Sequence, residues 1–103
     1  MIYYTTEEFE NILKAASGGD AASQGKAAFC FFYGYPDKRD VKKAVRLFES
    51  ASNQGDAMAS LMLGLYYETM EPDYARAISC YTKGYDLWNH VVPSDKPEAF
   101  SAL

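Results

Sequence analysis

Residues 55–84 read GDAMASLMLGLYYETMEPDYARAISCYTKG, and this stretch decides the fold. The run 57–69 is apolar on nearly every side and stops before Pro72. A second run follows from Asp73 to about Asn89. Proline and the residue before it are unfavourable inside a helix, so the stretch predicts two consecutive helices joined by a short turn.

The same arrangement occurs earlier in the chain. Gly19-Asp20-Ala21 recurs as Gly55-Asp56-Ala57, 36 positions later, where one helix ends and the next begins. The segment 40–48 matches 73–81 at a shift of 33. The difference between the two shifts falls in the loop 34–39, where a change in length is best tolerated. Self-similarity at this period is typical of stacked antiparallel helix pairs.

The remaining segments also have helical patterns. Thr5 and Glu8 form a capping-box signature before an apolar run that ends at Gly18-Gly19. A run over 21–33 is closed by Gly34 and Pro36, and a run over 41–51 has apolar residues on one side. No segment shows sustained period-two alternation, so we predict no strand. The chain is expected to be all-α with five helices.

These residues resemble the Sel-one-like repeat family, which is related to tetratricopeptide repeats. The family's unit has Ala-x3-Leu-Gly-x2-Tyr in its first helix and Asp-x2-Lys/Glu-Ala-x3-Tyr-x2-Ala in its second. One unit is matched by Ala59, Leu63, Gly64, Tyr67, Asp73, Ala77, Tyr81 and Lys83. The preceding unit is matched more loosely by Ala27, Ala28, Phe31, Gly34, Asp40, Lys43, Ala44, Phe48, Ala51 and Gly55. The resemblance implies a right-handed superhelical solenoid of antiparallel helix pairs, with about two and a half repeats.

The repeat pattern divides the 103 residues into parts of a single domain. Residues 5–19 form an orphan second helix, 20–55 the first repeat, 56–90 the second, and 91–103 a C-terminal capping tail. A Trp stands where a third Gly would end the second unit, and Trp resists positive φ. We therefore expect a cap over the open end of the stack, formed by Leu87, Trp88, Val91 and Val92. About three units are usually needed for stability, so the shortage favours a bound partner and leaves homodimerisation through the exposed solenoid ends open.

Composition argues against catalysis and metal binding. One His and two Cys cannot supply four zinc ligands, and the sequence has no Gly-rich phosphate loop or nucleophile elbow. Asp86 and His90 could share an ion, but two ligands without a third make a weak site. We expect no enzymatic activity, no catalytic residue, no cofactor and no metal.

Charge and hydropathy argue against nucleic acids and membranes as partners. The net charge is −4, whereas nonspecific binding to nucleic acids depends on a basic excess. No apolar run approaches the roughly 18 residues of a membrane span. Cys30 and Cys80 lie far apart among apolar neighbours and are interpreted as buried reduced thiols. Without a secretion signature at the N-terminus, we expect a cytoplasmic protein.

The stretch 38–46 contains half of the chain's ten basic residues and a single acidic one. The favoured interpretation is the solvated face of an amphipathic helix whose other face is buried. An acidic partner is the alternative. The basic residues are Lys38, Arg39, Lys42, Lys43 and Arg46, and the predicted buried face is Val41, Ala44, Val45 and Phe48.

The resemblance also locates a candidate binding surface. In the related tetratricopeptide arrangement, the first helix of each pair lines a concave surface at fixed offsets from its signature residues. Those offsets give Ala22, Gly25, Phe29, Phe32 and Tyr33 in one repeat, and Met58, Leu61, Leu65, Glu68 and Thr69 in the next. Most of these are apolar, so together they would form a binding patch if exposed. The alternative is that Phe29, Phe32, Leu61 and Leu65 belong to the core.

We therefore expect a non-catalytic protein-protein interaction module, an adaptor or scaffold that binds a partner protein or peptide through its concave apolar face. The expected contact residues are Phe29, Phe32, Tyr33, Met58, Leu61, Leu65, Glu68 and Thr69. The alternative function is a stoichiometric inhibitor or immunity protein that neutralises a bacterial toxin or enzyme. In that case, the acidic surface outside 38–46 would face a basic cleft and speed association.

Overall fold

The computed structural model describes residues 4–91, and over this range the chain is all-α, as predicted. Side chains are described up to Asn89. The described range contains five helices and no strand, and none of its helices has the length and apolar character needed to cross a membrane. The helices are α1 (Thr6–Ser17), α2 (Ala21–Tyr33), α3 (Val41–Asn53), α4 (Ala57–Thr69) and α5 (Tyr74–Val91).

Each helix begins at a residue whose side chain caps it. The predicted capping box is present at α1, where Thr5 accepts a hydrogen bond from the Glu8 N–H and the Glu8 carboxylate accepts one from the Thr5 N–H. Aspartates take over this role in the later helices, each accepting from an N–H three residues further on. They are Asp20, Asp40, Asp56 and Asp73.

Glycines turn the chain after the second helices of the repeat pattern. Gly19 after α1 and Gly55 after α3 have φ of +96° and +94°, a region that side chains with a Cβ rarely adopt. Met70, at the end of α4, has φ of −102° and needs no glycine. The backbone of Met70 stays in the right-handed helical region, and the turn to α5 follows at Pro72.

The helices stack in chain order. α2 packs against α3 and α4 against α5, while α1 contacts α2 and α3 contacts α4. Aromatic rings fill the first of these contacts: Phe9 of α1 lies edge-on to Phe31 of α2, with centroids 5.7 Å apart. Phe48 of α3 is almost completely buried at the centre of the stack. Within this stack, α2/α3 and α4/α5 form two helix pairs, and α1 packs against the first of them.

The two helix pairs are joined by a buried polar contact. The hydroxyl oxygens of Ser52 in α3 and Ser60 in α4 lie 2.6 Å apart and are hydrogen-bonded. Gln54 extends the contact on the other side by donating to the Gln24 side-chain oxygen at 2.8 Å. Because buried hydroxyl groups need partners, the Ser52–Ser60 bond fixes how α4 sits on α3, whereas the Gln54–Gln24 bond joins the end of α3 to α2.

The end of the second repeat differs in detail from expectation. α5 continues through Trp88 to Val91 in place of turning near Asn89. Leu87 faces the turn between α3 and α4, where its Cδ2 would lie 4.0 Å from a Cβ at Gly55. The predicted capping tail begins at the last helical residue, and 92–103 lie outside the described residues, so that expectation remains a prediction.

Lys42, Lys43 and Arg46 form the solvated face of α3, as interpreted from the sequence, whereas Lys38 and Arg39 are exposed before the helix begins. Ala44 and Phe48 are buried, and the two valines of the predicted apolar face are half-buried. Two of the basic side chains contact aromatic residues of α2: Lys43 Nζ lies 4.7 Å from the Phe31 ring centroid, and the Arg39 guanidinium lies 5.9 Å from that of Phe32. Arg39 Nε donates to the Phe32 carbonyl at 2.9 Å. These contacts give the charges a structural role.

Candidate functional site

One face of α2 is open and lines a cavity. The face comprises Ala22, Gly25, Phe29 and Tyr33, which recur three or four positions apart, together with Lys26 beside Gly25. At about 100° per residue these positions fall on one side of the helix. Ala22, Gly25, Phe29 and Tyr33 are four of the five positions that the repeat resemblance placed on the concave surface.

The opposite wall comes from the start of α4. Asp56, Met58 and Ala59 line the cavity there, and Phe48 of α3 contributes the buried edge of its ring. Cys30 of α2, Tyr4 before α1 and Tyr35 after α2 complete the lining among the described residues. We call this space the α2/α4 cavity. Its volume is about 610 Å³, within the roughly 300–1,000 Å³ of ligand pockets in proteins.

The walls of the α2/α4 cavity are largely hydrophobic and partly accessible to solvent. Tyr33 is 51% exposed and Met58 is 49% exposed, while Phe29 between them is half-buried. The rings of Phe29 and Tyr33 are stacked, with centroids 5.8 Å apart and an interplanar angle of 25°. Phe29 is also held edge-on against Phe48 at 5.8 Å. This aromatic pair is therefore anchored in the core on one side and open on the other.

Phe32 was expected to be an exposed contact residue, and this prediction is wrong because its side chain is buried. It lies edge-on to Phe48 with centroids 6.2 Å apart, and the Arg39 guanidinium covers its ring. The reason is rotational: Phe32 lies about 100° around α2 from Tyr33, on the side that α3 covers. The core alternative is thus the observed one for Phe32.

The expected contact residues of α4 beyond Met58 lie away from the cavity. Leu61 packs on α5 against Gly84. A Cβ added at Gly84 would lie 2.5 Å from Leu61 Cδ2. Leu65 is half-buried and packs against the core, in agreement with the alternative that it is a core residue. Glu68 accepts a hydrogen bond from Tyr81 at 2.6 Å, and Thr69 donates to the Leu65 carbonyl at 2.8 Å. The structure therefore brings Phe29, Tyr33 and Met58 together and separates the other predicted residues from them.

The repeat architecture is matched independently by comparison with known proteins. The Sel1 repeat model matches residues 21–56 and again residues 57–87, which together make up more than half of the chain. The chain belongs to the Sel1 repeat family. The two matches correspond to the α2/α3 and α4/α5 pairs. Members of this family are generally non-catalytic scaffolds that mediate protein-protein interactions.

A solved structure supports the Sel1 assignment. The crystal structure of a protective antigen present in uropathogenic Escherichia coli strains, which displays an SLR fold, is similar to this chain with a TM-score of 0.71 and 31% sequence identity. The similarity covers 75% of this chain and 17% of the antigen. The chain thus spans about a sixth of that protein's length. Comparison with curated protein sequences gives no match.

Several lining residues of the cavity were not predicted from the Sel1 pattern. Tyr4 and Tyr35 lie outside the helices, and Asp56 serves as the N-cap of α4. Asp56 follows the positive-φ turn at Gly55, which brings its carboxylate close to Gly25 of α2. The recurring Gly-Asp-Ala signature is the sequence feature from which the position of Asp56 could have been predicted. The two tyrosines come from loops, whose paths the helix pattern does not specify.

The two thiols are free, as predicted, and differ in burial. Cys30 is buried beside the cavity and Cys80 is half-buried. Burial raises the pKa of both thiols above the ordinary value, which disfavours the nucleophilic thiolate. Over the described residues, no cluster of three or more His, Cys, Asp or Glu could hold a metal ion. Asp86 lies on α5, and the side chain of His90 is outside the described set.

Proposed function

We propose that this Sel1 repeat protein binds a segment of a partner protein or peptide in the α2/α4 cavity. The observation that supports this proposal is the partly exposed hydrophobic wall formed by Phe29, Tyr33 and Met58. These side chains come from the first helices of two consecutive repeats and face one space of about 610 Å³. The cavity is large enough for two bulky apolar side chains of a bound segment.

The chemistry of the cavity fits a hydrophobic ligand with a polar edge. Burying one large apolar side chain contributes roughly 1.5–3 kcal/mol, so two such anchors offset part of the cost of association and the remaining contacts of the bound segment supply the rest. Lys26 and Asp56 stand among the lining residues as the charged groups. They can fix the orientation of a bound chain, while the aromatic pair provides most of the contact area.

Preorganisation supports the same proposal. Phe29 stacks on Tyr33 and rests against the buried Phe48 ring, so its position is fixed before a ligand arrives. The facing residues of α4 are held by the Asp56 cap and the Ser52–Ser60 bond. A partner therefore orders few side chains on this protein when it binds, which limits the entropic cost of association.

A peptide selection with matched methionine variants tests the proposal. Peptides selected from a random library on the full chain are measured by calorimetry against the wild type, Met58→Asp and Met70→Asp. Met58 and Met70 belong to the same helix region and are 49% and 42% exposed, but only Met58 lines the cavity. We expect selected peptides to carry paired large apolar residues, and we expect Met58→Asp to weaken binding by about tenfold or more.

The control defines the result that contradicts the proposal. Met70→Asp should retain the wild-type affinity, and circular dichroism should show that both variants remain folded and helical at the temperature of the binding measurement. If the library yields no binder, or if the two aspartates weaken binding equally, the α2/α4 cavity is not the binding site. A second variant, Ala22→Phe, fills the cavity from α2 and should abolish binding without removing any contact residue.

A further inference from the structure

The Asp56 carboxylate caps α4 with one oxygen and faces α2 with the other. Oδ1 accepts a hydrogen bond from the Ala59 N–H at 3.0 Å. Oδ2 would lie 3.3 Å from a Cβ at Gly25, on the open face of α2 that lines the α2/α4 cavity. The side chain is half-buried, and the cap bond together with the turn at Gly55 fixes its position.

Gly25 leaves the space beside this oxygen open. Among the described residues, Asp56 supplies the only atoms beyond α2 that come within 4 Å of a Cβ at position 25. Gly25 lies inside α2 and does not have a positive φ, so the backbone conformation does not require glycine there. A glycine inside a helix lowers its stability relative to alanine. At this position it leaves room for a ligand group next to a carboxylate oxygen.

Lys26, the other charged residue among the described lining residues, is directed differently. It follows Gly25 in the sequence, and consecutive helical residues are turned by about 100° from each other. Hydrogen bonds from Ser23 lower the pKa of Asp20, and the positive charge of Lys26 lowers it further, which places that charge towards the start of α2. Asp56 is short and held by its cap, so it is the charged group with a fixed position at the cavity.

We propose that the segment bound in the α2/α4 cavity carries a basic side chain, lysine or arginine, that pairs with Asp56. This inference rests on the proposed function, because it names the chemistry of the ligand for the same cavity. The basic group donates a hydrogen bond to Oδ2 while Oδ1 keeps its bond to Ala59. The hydrophobic walls limit the access of water, which strengthens a charged hydrogen bond. The net charge of −4 favours the approach of a basic segment.

The geometry of α2 sets the spacing of the two recognised groups in the ligand. Gly25 and Phe29 are four residues apart, which is about 6 Å along the helix axis. A basic group beside Gly25 and an apolar side chain against the Phe29–Tyr33 pair are separated by a similar distance. In an extended segment this distance joins residues two positions apart, and in a helical segment it joins residues three or four positions apart.

The peptides selected on the full chain from the random library test the chemistry of the ligand. Besides large apolar residues, their sequences should be enriched in lysine or arginine two to four positions from one of them. Enrichment in aspartate or glutamate, together with weaker binding to Lys26→Met, would overturn the proposal and assign the polar contact to Lys26.

Asp56→Asn separates the charge from the cap. Asparagine caps helices about as well as aspartate, so this variant should stay folded while it loses the negative charge. Calorimetry should show that a selected basic peptide binds it about tenfold more weakly than it binds the wild type. Asp40→Asn is the matched control, because Asp40 caps α3 by the same contact and does not line the cavity. The control should retain the wild-type affinity, and equal affinities of the two variants contradict the pairing.

A double-mutant cycle tests whether Asp56 contacts the basic side chain itself. When glutamine replaces the basic residue of the peptide, Asp56→Asn should no longer weaken binding. If Met58→Asp weakens binding and Asp56→Asn does not, the cavity is the binding site and the pairing with Asp56 is wrong. A library without binders, or wild-type affinity in Met58→Asp, overturns the proposed function and this inference with it.

Discussion

Two glycines determine how closely α4 and α5 approach each other. A Cβ at Gly64 would lie 2.7 Å from two ring carbons of Tyr81, and a Cβ at Gly84 would lie 2.5 Å from Leu61 Cδ2. Each glycine thus receives a large side chain from the opposite helix. Mid-helix glycine costs roughly 1 kcal/mol relative to alanine, and the close packing of the two helices offsets that cost.

We predict that Gly64→Ala destabilises the protein by about 1–3 kcal/mol, because the added methyl group forces the Tyr81 ring out of its place. Gly25→Ala is the matched control, since it lies in the middle of the other first helix. A Cβ there meets only the Asp56 carboxylate, at 3.3 Å. This control should be neutral or slightly stabilising in urea unfolding. Equal stability of the two variants would show that the contact between Gly64 and Tyr81 does not limit how closely α4 and α5 approach each other.

The sequence was sufficient to place the helices and the glycines but not to orient every aromatic residue of α2. The repeat signature put Phe29, Phe32 and Tyr33 on one surface, and the α2/α4 cavity contains the first and the last. The direction of Phe32 depends on where α3 crosses α2, which is a nonlocal property. The same holds for Leu61, since its contact with Gly84 is visible only once α5 is in position.

At the level of the helices, one tyrosine-carboxylate hydrogen bond joins α4 to α5, and a second lies at the end of α4. Tyr81 of α5 donates to Glu68 of α4, and Tyr66 of α4 donates to Glu71 in the following turn. Burial, and then the bond to Glu68, raise the pKa of Tyr81 to about 12. The bond to Glu71, and then burial, raise the pKa of Tyr66 to about 12 as well.

These shifts predict a loss of stability in alkaline solution. Both folded-state pKa values lie above the ordinary 10.0, so the unfolded chain loses these phenol protons first as the pH rises. Their contribution to the free energy of unfolding is fully present below pH 10 and is lost as the pH rises towards about 12. Urea midpoints measured across this range should fall less in the variant with Tyr66→Phe and Tyr81→Phe than in the wild type.

Tyr74→Phe is the control for removal of a phenol group from an exposed position on α5. It should reproduce the alkaline fall of the wild-type midpoints. If the midpoints of the double variant fall as much as those of the wild type, the two tyrosine-carboxylate bonds do not contribute to the alkaline loss of stability.

The whole molecule is a linear stack in which each helix depends on its neighbours. α1 contacts α2, and α5 contacts α4, while α2, α3 and α4 each have a helix on two sides. In such arrays stability is approximately the sum of each unit and its nearest-neighbour interfaces, so the ends can open without the centre. Phe9 is the aromatic anchor of α1, whereas Phe48 contacts residues of α2 at the centre.

We therefore predict that the same substitution, phenylalanine to alanine, opens one helix when it is made at Phe9 and several helices when it is made at Phe48. Phe9→Ala and Phe48→Ala each remove a buried ring, a change that costs about 3–5 kcal/mol in a protein core. For Phe9→Ala, hydrogen exchange should accelerate in α1 and leave α3 to α5 protected, because only the α1/α2 interface is lost. For Phe48→Ala, exchange should accelerate in α2, α3 and α4 together, and the milder Phe48→Leu should show the same distribution if the alanine variant does not fold. Uniform acceleration in Phe9→Ala would instead show that the stack unfolds as one cooperative unit, with α1 coupled as strongly to the centre as α3 is.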